Sequence, residues 1–92
     1  MRIEDLLWDE ANIAHIARHR VEAYEVEEAI WGDPHVRRGR GEKRYRVYGQ
    51  TEAGRYLFIV IERVRGTLYY VVTARDMTDR ERRLYLQVKK KR

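Results

Sequence analysis

The side chains in this chain best suited to chemistry are arginine, lysine, histidine and tyrosine, and they crowd most tightly around Arg75-Asp76-Met77-Thr78-Asp79-Arg80-Glu81-Arg82-Arg83. Thr78 and Glu81 stand at T-x-x-E spacing. That is the pattern of a capping box, in which each side chain satisfies the other residue's orphan backbone N–H at a helix start. The apolar run Val71-Val72-Thr73-Ala74 just before it reads as a strand. A strand end feeding a helix N-terminus presents backbone N–H groups and the positive end of the helix dipole, both of which attract anions. With Arg75, Arg80, Arg82 and Arg83 at the same corner, the pattern fits a phosphate-binding corner. It also fits a solvated basic helix closing a small sheet, the commoner meaning of a charge run.

The remaining constellations narrow the chemistry. His15 and His19 stand at i, i+4, a spacing able to hold zinc, but Ile16-Ala17-Arg18 between them lacks the zincin glutamate and nothing places a third ligand. The chain has no cysteine, so a thiolate site and a disulfide framework are excluded. No metal and no cofactor is expected. There is no phosphate loop, nucleophile elbow, dinucleotide fingerprint or carboxylate pair, and Glu62 is a lone acid on a strand, expected to pair with an arginine. A catalyst limited to Arg, Lys, His and Tyr suits phosphodiester cleavage by the 2′-OH of RNA. Guanidinium groups would stabilise charge on the phosphorane oxygens, with histidine as acid or base. Tyr45, Tyr48, Tyr56, Phe58, Tyr69 and Tyr70 interleave with arginines. Such aromatics can stack bases, and they are also ordinary strand residues.

The elements that must position these groups follow from periodicity and punctuation. Ile3 to Trp8 reads as a short edge strand, and Asp9 as the N-cap of a helix from Glu10 to His19. In that helix Ile13, Ile16 and Ala17 share one face, and Asn12, His15 and His19 share another. Arg20-Val21 reads as a break. A second helix runs from Glu22 to Trp31, burying Ala23, Val26 and Ile30 and exposing Glu22, Glu25 and Glu28, until Gly32-Asp33-Pro34 stops it. His35 to Arg44 is basic and unpatterned, and reads as a mobile surface loop. Three strands follow, Tyr45–Gln50, Tyr56–Arg63 and Leu68–Ala74, with short glycine-containing turns between them. The run from Tyr56 to Ile61 is apolar throughout, as in a strand covered on both faces. The last helix spans Asp79 to Val88, and Lys89-Lys90-Lys91-Arg92 is a basic tail expected to fray. The expected fold is α+β: two N-terminal helices, an antiparallel three- to four-stranded sheet and a C-terminal helix in one domain, residues 1–92.

Residues 1–34 carry nine acids against three bases, a net of −6, whereas residues 35–92 carry six acids against seventeen bases, a net of +11. Such a partition implies one surface that faces a polyanion and a second, different surface. No apolar run approaches the roughly 18 residues of a membrane helix, and Met1-Arg2-Ile3-Glu4-Asp5 lacks a signal-peptide layout. A soluble, cytoplasmic protein with no membrane partner is expected.

In order along the chain, Trp8-Asp9-Glu10 opens a helix, Arg18-His19 is followed by Val21, and a Glu-rich helix ends in Asp33-Pro34. Arg44-Tyr45 then leads into Tyr48-Gly49-Gln50-Thr51, and Thr73-Ala74-Arg75 precedes the Thr78/Glu81 cap and an Arg-Glu-Arg helix. This order resembles the BrnT toxins, ribonuclease halves of bacterial type II toxin–antitoxin pairs with a RelE-like fold, over nearly the whole chain. The resemblance implies RNA cleavage, growth arrest and neutralisation by a BrnA-like antitoxin. Operator DNA would be reached only through that antitoxin, through which an oligomer could also form. Resemblance and chemistry together make His19, Arg44, Arg63 and Arg75 the candidate catalytic cluster, the arginines polarising the phosphate and His19 moving a proton. Arg37, Arg38, Arg40, Lys43, Arg80 and Arg83 would hold the RNA backbone. Where the family has Lys-His-Gly-Val this chain has Arg18-His19-Arg20-Val21, so a different construction is expected at that junction without the glycine. Asn12 stands where the family often has a lysine, and Glu22 where it has a Ser/Thr cap. The alternative function is a non-catalytic module of the same fold that binds nucleic acid and protein.

Overall fold

A computed structural model describes residues 1–91. In chain order the elements are β1 (Asp5–Leu7), α1 (Glu10–Ala17), α2 (Ala23–Trp31), β2 (His35–Arg38), β3 (Arg44–Gln50), β4 (Tyr56–Arg65), β5 (Leu68–Asp76) and α3 (Asp79–Lys90). The strands form one sheet in the order β1-β5-β4-β3-β2, antiparallel except that β1 runs parallel to β5. The α+β class is as expected. The sheet differs from the expected three- to four-stranded antiparallel one, having five strands and a mixed pattern.

One added strand comes from the segment read as a mobile loop. His35–Arg38 pairs along β3, from His35 opposite Tyr48 to Arg38 opposite Tyr45, so only residues 39–43 remain a loop. Val36 packs against the core, and the unmade hydrogen bonds along the outer edge of β3 outweigh the segment's polar composition. A short, arginine-bearing edge strand also resists pairing with further chains. At the other end, α3 continues through Lys89 and Lys90, two residues expected to fray; Arg92, also assigned to that tail, lies outside the described residues. Among the described residues, no helix is long and apolar enough to cross a membrane.

The core lies on one face of the sheet, beneath α1 and α2. Val47, Leu57, Ile59, Ile61, Val71 and Ala74 meet Ile16, Val26, Ala29 and Ile30 there. On β4 the burial alternates strictly between Leu57, Ile59 and Ile61, which are buried, and Phe58 and Val60, which are half-buried. The expected cover on both faces is therefore uneven: α1 and α2 seal one side, and α3 covers only part of the other. Helix α2 lies so close to β3 that a Cβ on Gly49 would stand 2.6 Å from the carbonyl oxygen of Ala29.

Helix α1 is rotated relative to its apolar pattern. Ile16 is fully buried, but Ile13 is 48% exposed and Asn12, a polar residue, is 2% exposed. Hydrogen bonds hold Asn12 there. Its side-chain oxygen accepts from the Asp9 amide (2.8 Å), its own amide donates to Asp9 Oδ1 (2.9 Å), and Nδ2 donates to the Leu7 carbonyl (2.9 Å). A residue that caps its helix and ties it to β1 gains more from facing inward than Ile13 does.

The junction after α1 also corrects an expectation. Despite the missing glycine it is a left-handed turn, with Arg20 at φ 59°. The Arg20 amide donates to the Ala17 carbonyl (2.9 Å) and the Val21 amide to the Ile16 carbonyl (3.1 Å), the paired closure of a Schellman motif. Its accompanying apolar contact is present in Val21 and Ile16, both buried. For arginine this conformation costs about 1–2 kcal/mol of strain. Arg20→Gly should therefore raise stability by about 0.5–1 kcal/mol after the entropy of the unfolded glycine is subtracted. A thermal melt should move up by a few degrees, and Arg20→Val should move it down; an unchanged or lower midpoint for the glycine variant would contradict the strain.

Candidate functional site

Strand pairing lays the non-core face of the sheet out in rows, because residues paired across strands share a face. One row runs His35–Tyr48–Phe58–Arg75 across β2, β3, β4 and β5. The next, toward the far end of β4, runs Arg37–Arg46–Val60 across β2, β3 and β4, and beyond it Arg44 stands opposite Glu62.

The first row is a continuous stack. Ring centroids of His35 and Tyr48 are 6.0 Å apart, those of Tyr48 and Phe58 5.4 Å, and the Arg75 guanidinium lies 4.2 Å from the Phe58 ring centre. Arg75 then forms a bidentate ion pair with Glu81 (2.8 and 3.0 Å) and donates to the Asp76 carbonyl (3.0 Å). Glu81 is shared with the helix cap: its Oε1 accepts from the Thr78 amide (2.9 Å), and its own amide donates to Thr78 Oγ1 (3.2 Å). The strand-to-helix corner is thus an electrostatic clamp joining β5 to α3. Arg75 is held in it, with its cationic charge raised in stability chiefly by the hydrogen bond to Glu81.

Beside these rows is a cleft of about 420 Å³, lined by Arg38, Gly39, Arg40, Arg44, Arg46, Phe58 and Val60. The Arg38 guanidinium itself turns to the Tyr45 hydroxyl (3.2 Å), which leaves three arginines, Arg40, Arg44 and Arg46, around an apolar floor; such a set suits an extended anion with flat, apolar parts, as nucleic acids are. Arg46 is steadied by donating from Nε to the Arg38 carbonyl (3.1 Å), and Arg44 pairs with Glu62 (2.9 Å), the partner expected for that lone acid. Among the described residues, Arg37, Arg40, Lys43, Arg80 and Arg83 make no ion pair.

The four residues expected to form a catalytic cluster are not brought together. Arg44 and Arg75 share the non-core face, yet their partners Glu62 and Phe58 are four residues apart on β4, roughly 13 Å. Arg63 pairs with Tyr69 on the core side. There it lies over the Tyr45 and Tyr69 rings (5.9 and 5.6 Å) and donates to the Tyr69 hydroxyl (3.0 Å), closing the end of the core that the helices leave uncovered. Arg38 lies over Tyr45 as well (5.4 Å). His19 sits at the other end of the molecule, where its carbonyl accepts from Arg55 (3.3 Å) and its ring lies 5.8 Å from that of His15. His15 Nε2 in turn meets Thr73 Oγ1 at 3.0 Å. Eight positions along β4 separate Arg55 from Arg63, roughly 26 Å. Among the described residues, no group of three or more His, Asp or Glu is placed to hold a metal.

Sequence reasoning missed His35, Arg46 and Val60, whereas Phe58 stood among the aromatics able to stack bases. Arg46 was legible, since alternation along Arg44-Tyr45-Arg46-Val47-Tyr48 puts Arg44, Arg46 and Tyr48 on one face. His35 was hidden by the reading of its segment as a loop. The strand tyrosines contribute little exposed ring: Tyr45, Tyr48 and Tyr69 are buried, and Tyr56 is covered by Tyr85 and Arg82.

The clamp carries a pH signature. Burial pushes the Glu81 carboxyl up, but hydrogen bonds from Arg75 and from the Thr78 amide outweigh it, so Glu81 titrates below its usual 4.5. A carboxyl depressed on folding stabilises the folded state fully above its unfolded pKa, and that contribution is lost as pH falls through the folded value. Glu81→Gln should therefore lower the melting temperature by a few degrees at neutral pH. The gap from the parent should close in acid, below the usual carboxylate range; a pH-independent gap would mean that packing, not charge, holds the corner. No protein-family model and no curated protein matches this chain in sequence.

Proposed function

We propose that the protein is a ribonuclease toxin of the BrnT type, with a RelE-like fold, acting on RNA in the cytoplasm and neutralised by a BrnA-like antitoxin. The observation that supports this reading is the arginine-bordered cleft on the non-core face of the sheet. RNA would lie across it with phosphates on Arg37, Arg40, Arg44 and Arg46 and bases over the Phe58–Val60 floor. Lys43, in the loop beside the cleft, and Arg80 and Arg83 on α3 would extend the track. Cleavage would follow attack of the 2′-OH on the adjacent phosphorus, with guanidinium groups countering the phosphorane charge. The histidine sharing this face is His35, not His19, and the reading gives His35 the proton transfer. Operator DNA would be reached only through the antitoxin, whose most effective inhibitory segment would be acidic, covering the cleft.

A second reading, the non-catalytic binding module, also has an observation in its favour. Arg75 and Arg44, the two expected catalytic arginines on this face, are each already paired with a carboxylate, and His35 is three strands from Arg75.

Induction of the chain with and without a co-encoded antitoxin, followed by mapping of new RNA 5′ ends, separates the two. Arg46→Ala should weaken RNA binding about five- to tenfold, in keeping with one lost phosphate contact, and flatten its salt dependence. His35→Ala should cut cleavage at least a hundredfold with little change in binding. Arg75→Ala should abolish growth arrest, with retention of the fold checked by circular dichroism. RNA binding with no new 5′ ends at any protein concentration would leave the binding module standing. A greater loss at His19 than at His35 would return the proton transfer to His19.

A further inference from the structure

The acidic third of the chain plays no part in the arginine cleft. Its outer surface includes one stripe of α2, with Tyr24, Glu27, Glu28 and Trp31 at i, i+3, i+4 and i+7 on one side of the helix. With Glu52 opposite, they border a cleft of about 440 Å³. Tyr24 is 55% and Trp31 48% exposed, a high value for two large rings on one short helix. The stripe is also preset. The Trp31 indole N–H donates to the Ile3 carbonyl (2.6 Å), Glu28 accepts from the Glu52 amide (3.2 Å) and Glu27 accepts from the Trp8 indole (3.2 Å). The Tyr24 phenol is raised above its usual 10.0, foremost by Glu25, then by desolvation and by Glu22 and Glu28.

The opposite side of the molecule carries the complement. Helix α3 turns Tyr85 onto the non-core face of the sheet and presents outward Arg80, Arg83, Leu84, Leu86 and Lys90 around a cleft of about 470 Å³. Leu86 is 45% exposed. One helix therefore offers aromatic rings among carboxylates, and the other offers leucines among arginines and a lysine. Arginine over an exposed tyrosine or tryptophan, flanked by carboxylates, gains from both cation–π attraction and charge pairing.

We propose that the α2 stripe is a docking surface for α3 of a second copy of this chain. Because α2 covers the core face of the sheet and α3 the other face, the contact is head-to-tail and leaves a free α2 and a free α3 at the two ends. Head-to-tail contacts that do not close continue as chains. The assembly therefore grows past the dimer, and salt weakens it because the paired charges lie at the surface. Two helix faces of this length bury a small interface, which sets the association in the range of about 10 µM to 1 mM.

The test is sedimentation velocity on nuclease-treated protein over that concentration range, at low and high salt. At low salt the weight-average mass should climb above the monomer's 11.2 kDa and past the dimer, and high salt should return it to the monomer. Glu28→Arg and Arg83→Glu, each shown folded by circular dichroism, should each weaken association at least tenfold. Mixing the two variants should restore it. The two reversed charges then face each other across one contact, while the opposite pairing of the same two variants is that of the parent. A monomer throughout the range, association that disappears on nuclease treatment, growth that stops at a dimer, or a mixture that fails to restore it would each overturn the proposal. The last two outcomes point instead to a two-fold contact or to a basic partner of another kind on α2.

Discussion

One guanidinium holds the three parts of this molecule in register. Arg55, just ahead of β4, donates to Asp76 at the end of β5 (2.7 Å), to Glu25 on α2 (3.1 and 3.3 Å), and to the carbonyls of Arg20 and His19 after α1 (2.6 and 3.3 Å). The strand hairpin, the acidic helix and the left-handed turn after α1 all meet at this side chain. Its planar fork allows this where a lysine would not, because the donors leave in fixed directions toward different elements. Its charge is held more firmly than usual, chiefly by the hydrogen bond to Asp76 and despite the penalty of burial. The side chain retains about a quarter of its exposure, so its value lies in geometry more than in raw attraction. The strain at Arg20 fits the same account: the turn delivers a carbonyl to Arg55, and the hydrogen bond helps offset the conformational cost of a non-glycine residue.

With that corner fixed, the sheet can have two unlike faces. Gly49 lets α2 settle onto β3, and the aliphatic side chains of alternate positions are sealed beneath the helices. The residues between them, freed from packing on helices, form the arginine face. Helix α3 reaches only part of it, anchored by Tyr85, whose hydroxyl donates to the Asp33 carbonyl (3.0 Å), and by the Arg75–Glu81 clamp. The charge partition of the sequence thus becomes spatial. The acids gather on α2 on the core side, and the bases gather on β2, β3 and α3.

What the sequence made legible was local, and what it hid was set by distant partners. Capping at Asp9 and Thr78 depends on residues three positions apart, so both helix starts could be read directly. The strands from β3 to β5 are hairpin neighbours with glycine turns, and they too were visible. The pairing of β1 with β5 links Asp5 to Leu68, and no pattern within either segment encodes it. His35–Arg38 became a strand because β3 offers it an edge, although its own composition argues for a loop. Asn12 faces inward because Leu7 and Asp9 have groups to satisfy, and periodicity weighs only apolar side chains. The dispersal of His19, Arg44, Arg63 and Arg75 has the same origin: face and height on the sheet follow from register, and register is a property of pairs of strands.

The arginines sort into two physical classes, and this division bears on any anion the protein binds. Arg55, Arg63 and Arg75 are committed to carboxylates, carbonyls or phenols that also serve the fold, so a phosphate must displace those partners before it gains their charge. Among the described residues, Arg37, Arg40, Arg80 and Arg83 have no carboxylate to displace, and Arg46 is oriented through Nε alone while the rest of its fork faces the cleft side. Binding should therefore begin on this second class and engage Arg75 only if the ligand competes successfully with Glu81. A phosphate that did so would loosen the clamp between β5 and α3. Anion binding at the corner would then be coupled to the position of α3, the helix that limits how much of the face is open. A residue placed for structure in the free protein thereby becomes a point at which a sufficiently strong ligand can act on the shape of its own site.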